Sequence, residues 1–123
     1  MQIVDSHCHI DRVDLEVFGG SVESMLSHAK ELSVNQFLCV CIDLEHFDQV
    51  HNLALQHSNI YASVGVHPTE IISKEPSVEK LLELSSSERV IAIGETGLDY
   101  FRVKKDEADW QRDRFRRHIR ASN

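Results

Sequence analysis

The sequence predicts an α/β fold in which helices cover a parallel sheet. Strand-like and helix-like segments alternate four times along the 123 residues, an order that requires right-handed crossover connections. The strand-like segments are short, rich in β-branched residues and apolar on both faces, as in parallel sheets. Their starts are 33, 24 and 30 residues apart, close to the roughly 31 residues of one unit in a TIM (β/α)8 barrel. The chain therefore has the pattern of about the first four βα units of such a barrel.

The predicted strands are runs of apolar and β-branched residues bounded by polar segments. They cover residues 3–10, 36–42, 60–67 and 90–95. In a parallel sheet their carboxyl ends lie at one rim, which is the rim where TIM barrels carry their active sites.

The predicted helices show apolar residues at spacings of three and four. They begin near Val22, Phe47, Val78 and Asp106. Ser21 follows two glycines before the first helix, Asp43 is the predicted N-cap of the second, and Pro76 is placed near the first turn of the third.

The charge is unevenly distributed along the chain. The net charge is −7, but residues 1–101 hold 16 acidic and 5 basic side chains, whereas residues 102–123 hold 4 acidic and 8 basic. An acidic body argues against non-specific nucleic-acid binding over the whole surface. An anionic substrate would have to be held locally, and a metal ion is the obvious means.

The composition predicts one globular domain in the cytoplasm. Its length, its 41% hydrophobic and its 27% charged residues are ordinary for a globular protein. No apolar run of about 18 residues could span a membrane, and the N-terminus lacks the pattern of a signal peptide. Three cysteines without disulfide spacing indicate a reducing compartment.

The first strand carries a candidate metal-binding pair. Alternation predicts that Asp5, His7 and His9 share one face and that Cys8 lies on the other. Two imidazoles on one face can bind a cation, although two unrelated histidines would give the same short pattern. Asp5 is predicted to orient one of the imidazoles.

Two later strand ends carry further candidates. Glu95 follows the fourth strand, where a metal or an ion pair would offset the cost of burying its carboxylate, and a solvent-facing glutamate is the alternative. His67 ends the third strand just before Pro68, and a structural and a functional role are equally consistent with that position. Asp99 suits either a turn or a substrate contact.

The remaining polar residues have simpler interpretations. Cys39 and Cys41 are predicted to be small core residues. Five arginines between residues 112 and 120 are expected on the outer face of the last helix, with a role at a phosphate backbone as the alternative. Four histidines are expected to be solvated: His28, His46, His51 and His57.

Taken together, these segments resemble the TatD family of metal-dependent deoxyribonucleases, among the amidohydrolase-like TIM barrels. The matching segments are VDSHCHID at 4–11, VGVHP at 64–68 and GETGLDY at 94–100, with a weaker match at Gln111, Phe115, His118 and Ile119 in the following helix. Each motif is short, but their order and separations are specific. The resemblance makes residues 1–123 the N-terminal half of a single barrel domain.

The resemblance implies a metal-dependent hydrolase acting on DNA, as single strands or at 3′ ends, with 3′–5′ exonuclease action. His7 and His9 would bind one divalent cation and Glu95, the catalytic carboxylate, would bridge it to a second. Mg²⁺ is the expected metal, with Mn²⁺ or Zn²⁺ as alternatives. His67, Asp99 and Tyr100 would contact the substrate.

Other functions remain open at this point. The barrel and its metals would also suit an amidohydrolase acting on a cyclic amide, ester or lactone. The chain has three of the six ligands that the family implies, so we expect little or no activity from these 123 residues alone. A third hypothesis is a non-catalytic half-barrel that acts only by association, because four parallel strands leave two open edges and an uncovered face.

Overall fold

The computed structural model describes residues 1–123 and contains one sheet of four parallel strands in the order β1-β2-β3-β4. The strands are β1 (Ile3–Cys8), β2 (Val34–Cys39), β3 (Ile60–Val64) and β4 (Val90–Ile93). The helices are α1 (Val22–Glu31), α2 (Phe47–Gln56), α3 (Val78–Ser85) and α4 (Asp109–Ser122). The predicted alternation of four βα units is confirmed. None of these helices combines the length and the apolar composition needed to cross a bilayer.

Each strand ends two or three residues earlier than the apolar runs predicted. Beyond the ladder the chain makes cross-rim hydrogen bonds instead. The amide of His67 donates to the carbonyl of Ile42 at 2.7 Å, and the amide of Glu95 donates to the carbonyl of Cys41 at 2.9 Å. The rim residues are therefore fixed by contacts between strand ends.

The core lies between the sheet and its helices. Phe37, Cys39 and Ile60 pack against α1 and α2, and Cys41 packs with Leu81 near α3 and α4. Both Cys39 and Cys41 are fully buried, which confirms their predicted place in the core. The opposite face of the sheet is open.

Serine side chains cap two of the helices, and Ser21 is the one that the sequence placed at a helix start. Ser21 accepts from the amide of Ser24 at the start of α1, and Ser77 accepts from the amide of Lys80 at the start of α3. The prediction for α2 was wrong, because His46 occupies the N-cap position. Asp43 lies three residues earlier and accepts from the amide and the ring of His46.

The last helix begins later than predicted. Residues Lys105–Glu107 form a short 3₁₀ turn, and α4 starts at Asp109.

Candidate metal centre

Two histidines at the carboxyl end of β1 form one side of the site. The rings of His7 and His9 are 5.3 Å apart between centroids and nearly perpendicular. Nδ1 of His9 lies 2.9 Å from the carbonyl oxygen of Val40. A carbonyl can only accept, so this contact assigns the proton to Nδ1 and leaves the lone pair of Nε2 free. Such a hydrogen bond is typical of metal-binding histidines.

The strand register corrects the predicted position of Asp5. Asp5 pairs with Phe37 and Cys8 pairs with Cys39, so β1 has one residue more than β2 between these pairs. This bulge interrupts the alternation of faces, and Asp5 is placed on the core side with Phe37. Its carboxylate accepts from the backbone amide of His7 at 3.1 Å. Asp5 therefore supports the chain before His7 and does not orient an imidazole.

Glu95 follows β4 and forms the other side of the site. Its backbone amide is held by Cys41, as described above, and its side chain is about one-quarter exposed. Carboxylate oxygen Oε2 lies 3.3 Å from Nε2 of His7 and 3.9 Å from Nε2 of His9. One ligand atom from each of the three residues lies within 4.8 Å of the others.

The three side chains suit a divalent cation. Nitrogen and oxygen ligands at about 2.0–2.2 Å from one zinc ion are roughly 3.4 Å apart in a tetrahedral arrangement. The distances from Glu95 to His7 and His9 are close to that value. Two imidazoles and a carboxylate also match the mixed donor set that Zn²⁺ and Mn²⁺ accept. The predicted metal ligands are thus brought together by the fold.

His67 lies on the remaining side of Glu95. Its Nε2 is 3.4 Å from Oε1 of Glu95. Its Nδ1 accepts from the backbone amide of Thr69 at 3.2 Å and lies 2.8 Å from the hydroxyl of Thr69. An amide can only donate, so the contact assigns the neutral ring its proton on Nε2. His67 therefore presents a donor to the site, whereas His9 presents a lone pair.

The structure does not bring Asp99 or Tyr100 into this cluster. Oδ1 of Asp99 accepts from the amides of Phe101 and Arg102, and Oδ2 pairs with the guanidinium of Arg102. The hydroxyl of Tyr100 accepts from Arg112 at 3.2 Å. Neither side chain has a hydrogen bond or ion pair to His7, His9 or Glu95, and the turn-forming interpretation of Asp99 is the one these contacts favour.

Three polar residues of α4 are buried, and the sequence prediction for one of them, Arg114, was wrong. Arg114 was expected on the outer face with the other arginines, but it is buried and its Nη2 lies 2.6 Å from Oε1 of Glu75. Gln111 and His118 are also fully buried. Their positions, three before and four after Arg114, lie on one helical face. That polar stripe, on a helix that must cover a sheet, was the signal available in the sequence.

A parallel βα sheet with a candidate cation-binding group at the carboxyl ends of its strands is the arrangement found at the active-site rim of TIM-barrel proteins.

Comparison with known proteins gives the family. Residues 4–123 match the family model described as TatD related DNase, and the chain belongs to this family. It is 35% identical over 122 residues to a metal-dependent hydrolase of Buchnera aphidicola subsp. Baizongia pistaciae, covering 99% of this chain and 46% of that protein. It is 36% identical over 120 residues to the metal-dependent hydrolase YcfH of Escherichia coli K12, covering 97% and 44%.

Solved structures give the same result for the fold. The chain aligns with YjjV, a TatD homologue of Escherichia coli K12, with a TM-score of 0.83, 27% identity and coverage of 98% of this chain and 46% of YjjV. A TatD family hydrolase of Entamoeba histolytica shares the fold, with a TM-score of 0.74 at 23% identity over 96% of this chain and 44% of that one. The chain spans about half the length of the relatives that it matches.

Proposed function

We propose that this chain supplies the N-terminal half of a deoxyribonuclease active site that hydrolyses phosphodiester bonds in DNA, on single strands or at 3′ ends, in the 3′–5′ direction. The observation that carries the proposal is the convergence of His7, His9 and Glu95 at the rim of a parallel sheet. The DNase description of the family model supports the choice of substrate.

The metal-binding roles follow the donor chemistry of the cluster. His7 and His9 would hold one divalent cation, and Glu95, the catalytic carboxylate of this proposal, would help to hold a second. When bound, divalent cations polarise a phosphodiester and make a water molecule more acidic. Mg²⁺ is the proposed metal because it favours carboxylate and phosphate oxygens, and the imidazoles allow Mn²⁺ or Zn²⁺ in its place.

The substrate-side roles belong to His67, Asp99 and Tyr100. Nε2–H of His67 is placed beside Glu95, where it can donate to a phosphate oxygen. The amides and guanidinium that Asp99 accepts from keep the pKa of its carboxyl below the usual range, so Asp99 stays ionised and fixes the loop on which it would meet the substrate. Tyr100 is partly exposed on that loop; its hydroxyl accepts from Arg112, and its ring is the part that would contact the nucleic acid.

The open face of the sheet supports two further proposals. The 123 residues alone have little activity, and the half-barrel binds a partner through this side. Val4 and Ile91 are 62% and 61% exposed on the uncovered side. β1 and β4 are the two edge strands of the parallel sheet. β4 of one copy can therefore pair with β1 of a second copy and extend the sheet. We propose that the chain self-associates in this way, in the cytoplasm, where its three thiols stay reduced.

A cleavage assay tests the deoxyribonuclease proposal. A single-stranded oligodeoxynucleotide labelled at its 5′ end is incubated with Mg²⁺ or Mn²⁺ and either this chain or the product of its complete reading frame. We expect a ladder shortened from the 3′ end, weak or absent for the 123 residues alone. His9→Ala and Glu95→Gln should abolish it, and the exposed-site variant His28→Ala should not.

Three outcomes would contradict the proposal. One is an oligonucleotide left intact by the complete reading-frame product with both metals. Another is cleavage that survives His9→Ala. The third is turnover of cyclic amides, esters or lactones in a parallel panel without turnover of DNA, which would favour an amidohydrolase. Light scattering at several concentrations measures self-association separately.

A further inference from the structure

Three buried side chains of α4 contact three consecutive residues next to the site. Gln111, Arg114 and His118 are 0%, 2% and 0% exposed and lie on one face of the helix. Their partners are the backbone groups of residues 66–68, the segment that carries His67. Burying three polar side chains is costly unless each is hydrogen-bonded, so their partners show what the arrangement holds in place.

His118 fixes the start of this segment. Its Nδ1 lies 2.8 Å from the carbonyl oxygen of Arg114, which assigns the proton to Nδ1. Nε2 is then an acceptor, and the amide of Val66 donates to it at 3.0 Å. A buried neutral imidazole thus accepts a hydrogen bond from the amide of Val66, which is the only donor of that residue's backbone.

Arg114 fixes the middle of the segment. Its Nε and Nη2 donate to both carboxylate oxygens of Glu75 at 2.9 and 2.6 Å, and its Nη1 donates to the carbonyl of His67 at 2.8 Å. The guanidinium also stacks 4.9 Å from the ring centre of Trp110. A bidentate pair on a planar group has a fixed orientation, so the His67 carbonyl is held at a defined position.

Gln111 connects the end of this segment to the loop after β4. Its Nε2 donates to the carbonyl of Pro68 at 3.1 Å, and its Oε1 accepts from the amide of Asp99 at 2.8 Å. One amide side chain therefore links the loop of His67 to the loop that follows Glu95.

The consequence appears at the His67 ring. With the backbone of residues 66–68 fixed, Thr69 is placed to donate its amide to Nδ1, and Nε2 lies 3.4 Å from Oε1 of Glu95. A rotation of the segment would break the Thr69 contact, and the proton would no longer be confined to Nε2.

We propose that Gln111, Arg114 and His118 are positioning residues that hold His67 as its Nε2–H tautomer beside Glu95. The purpose of that tautomer, donation to a phosphate oxygen, rests on the proposed function. The positioning itself does not, because it concerns only groups within this chain.

Imidazole ¹⁵N chemical shifts, which report the tautomer directly, test the proposal on the 123-residue chain at pH 8 without metal or DNA. The His67 signals are assigned by their loss in His67→Gln. In the wild type we expect one shift typical of a protonated nitrogen and one typical of a bare nitrogen. In Arg114→Met the two shifts should move toward each other as both tautomers become populated. Arg116→Met removes an exposed arginine of the same helix and should leave them separate.

A second variant covers the case in which Arg114→Met does not fold. Glu75→Gln keeps the shape of a side chain that is 31% exposed but removes the charge that orients Arg114, and it should cause a smaller convergence of the same shifts. Separate His67 shifts in every folded variant would overturn the proposal and leave Arg114 with a purely structural role. Averaged shifts in the wild type would also overturn it. Neither result depends on whether the protein cleaves DNA.

Discussion

Gly65 and Gly94 meet backbone to backbone where β3 and β4 end. A Cβ on Gly65 would lie 2.6 Å from the carbonyl carbon of Gly94 and 2.7 Å from its oxygen, whereas a Cβ on Gly94 would meet nothing nearer than 3.9 Å. The hydroxyl of Ser63 donates to the same Gly94 oxygen at 2.6 Å. This close approach brings the strand ends that carry His67 and Glu95 together.

Gly65→Ala should therefore lower the free energy of unfolding and displace the strand ends that carry His67 and Glu95. The methyl group has no room, and overpacking of this kind costs about 1–3 kcal/mol. We expect urea denaturation to show that loss in the free energy of unfolding. The partner substitution Gly94→Ala is the control and should cost clearly less, because its Cβ has space. Equal losses for the two variants would contradict the steric explanation.

Metal binding should stabilise the fold through Glu95. A cation that binds only the native state at 100 times its dissociation constant adds about 2.7 kcal/mol. We expect Mn²⁺ or Zn²⁺ to raise the melting temperature of the wild type, and EDTA to reverse the change. Glu95→Gln should remove most of the increase, since a neutral amide is a poorer ligand. Glu23→Gln, at a side chain that is 74% exposed, should keep it. A metal-induced rise that persists in Glu95→Gln would place the cation elsewhere.

The sequence was sufficient to predict the order of elements and which candidate ligands meet at the rim. Alternating apolar runs and the strand-end positions of His9 and Glu95 determine which residues share the rim, and the structure brings them together. Strand ends and faces were less predictable. The bulge before His7 depends on pairing with β2, and this pairing is absent from any local pattern.

The buried polar contacts were missed for a related reason. Arg114 is one of five arginines in α4, and local sequence cannot show which of them finds a carboxylate 39 residues away. The same holds for His118, whose contact with the amide of Val66 spans 52 residues of the chain. Such partners depend on tertiary structure.

His118 should make stability depend on pH. Burial lowers the pKa of its imidazole below the ordinary value, so below about pH 6.5 the unfolded chain binds a proton that the native state excludes. Its contribution to stability is complete above that pH and is lost as the pH falls toward the native pKa. The slope from one such group is at most about 1.4 kcal/mol per pH unit.

Urea denaturation between pH 8 and pH 5 measures this dependence. The free energy of unfolding of the wild type should fall more steeply below pH 6.5 than that of His118→Gln. His28→Gln removes an exposed histidine and should follow the wild type. Parallel curves for the wild type and His118→Gln would show that His118 does not exclude a proton in the native state.

The three thiols should react slowly in the native protein. Burial raises the pKa of Cys8 to about 12 and those of Cys39 and Cys41 to about 11. The thiolate is the reactive form, and at pH 8 a group with a pKa of about 11 is roughly one part in a thousand ionised, against about a quarter for a free cysteine. We expect alkylation by iodoacetamide, followed by mass spectrometry, to be at least about 100-fold slower than in urea.

Partly exposed Cys8 has the highest pKa of the three thiols, so its exposure should not make its alkylation fast. Rapid native labelling of Cys39 or Cys41 would mean that the packing of the sheet against α1, α2 and α3 opens far more often than this burial implies.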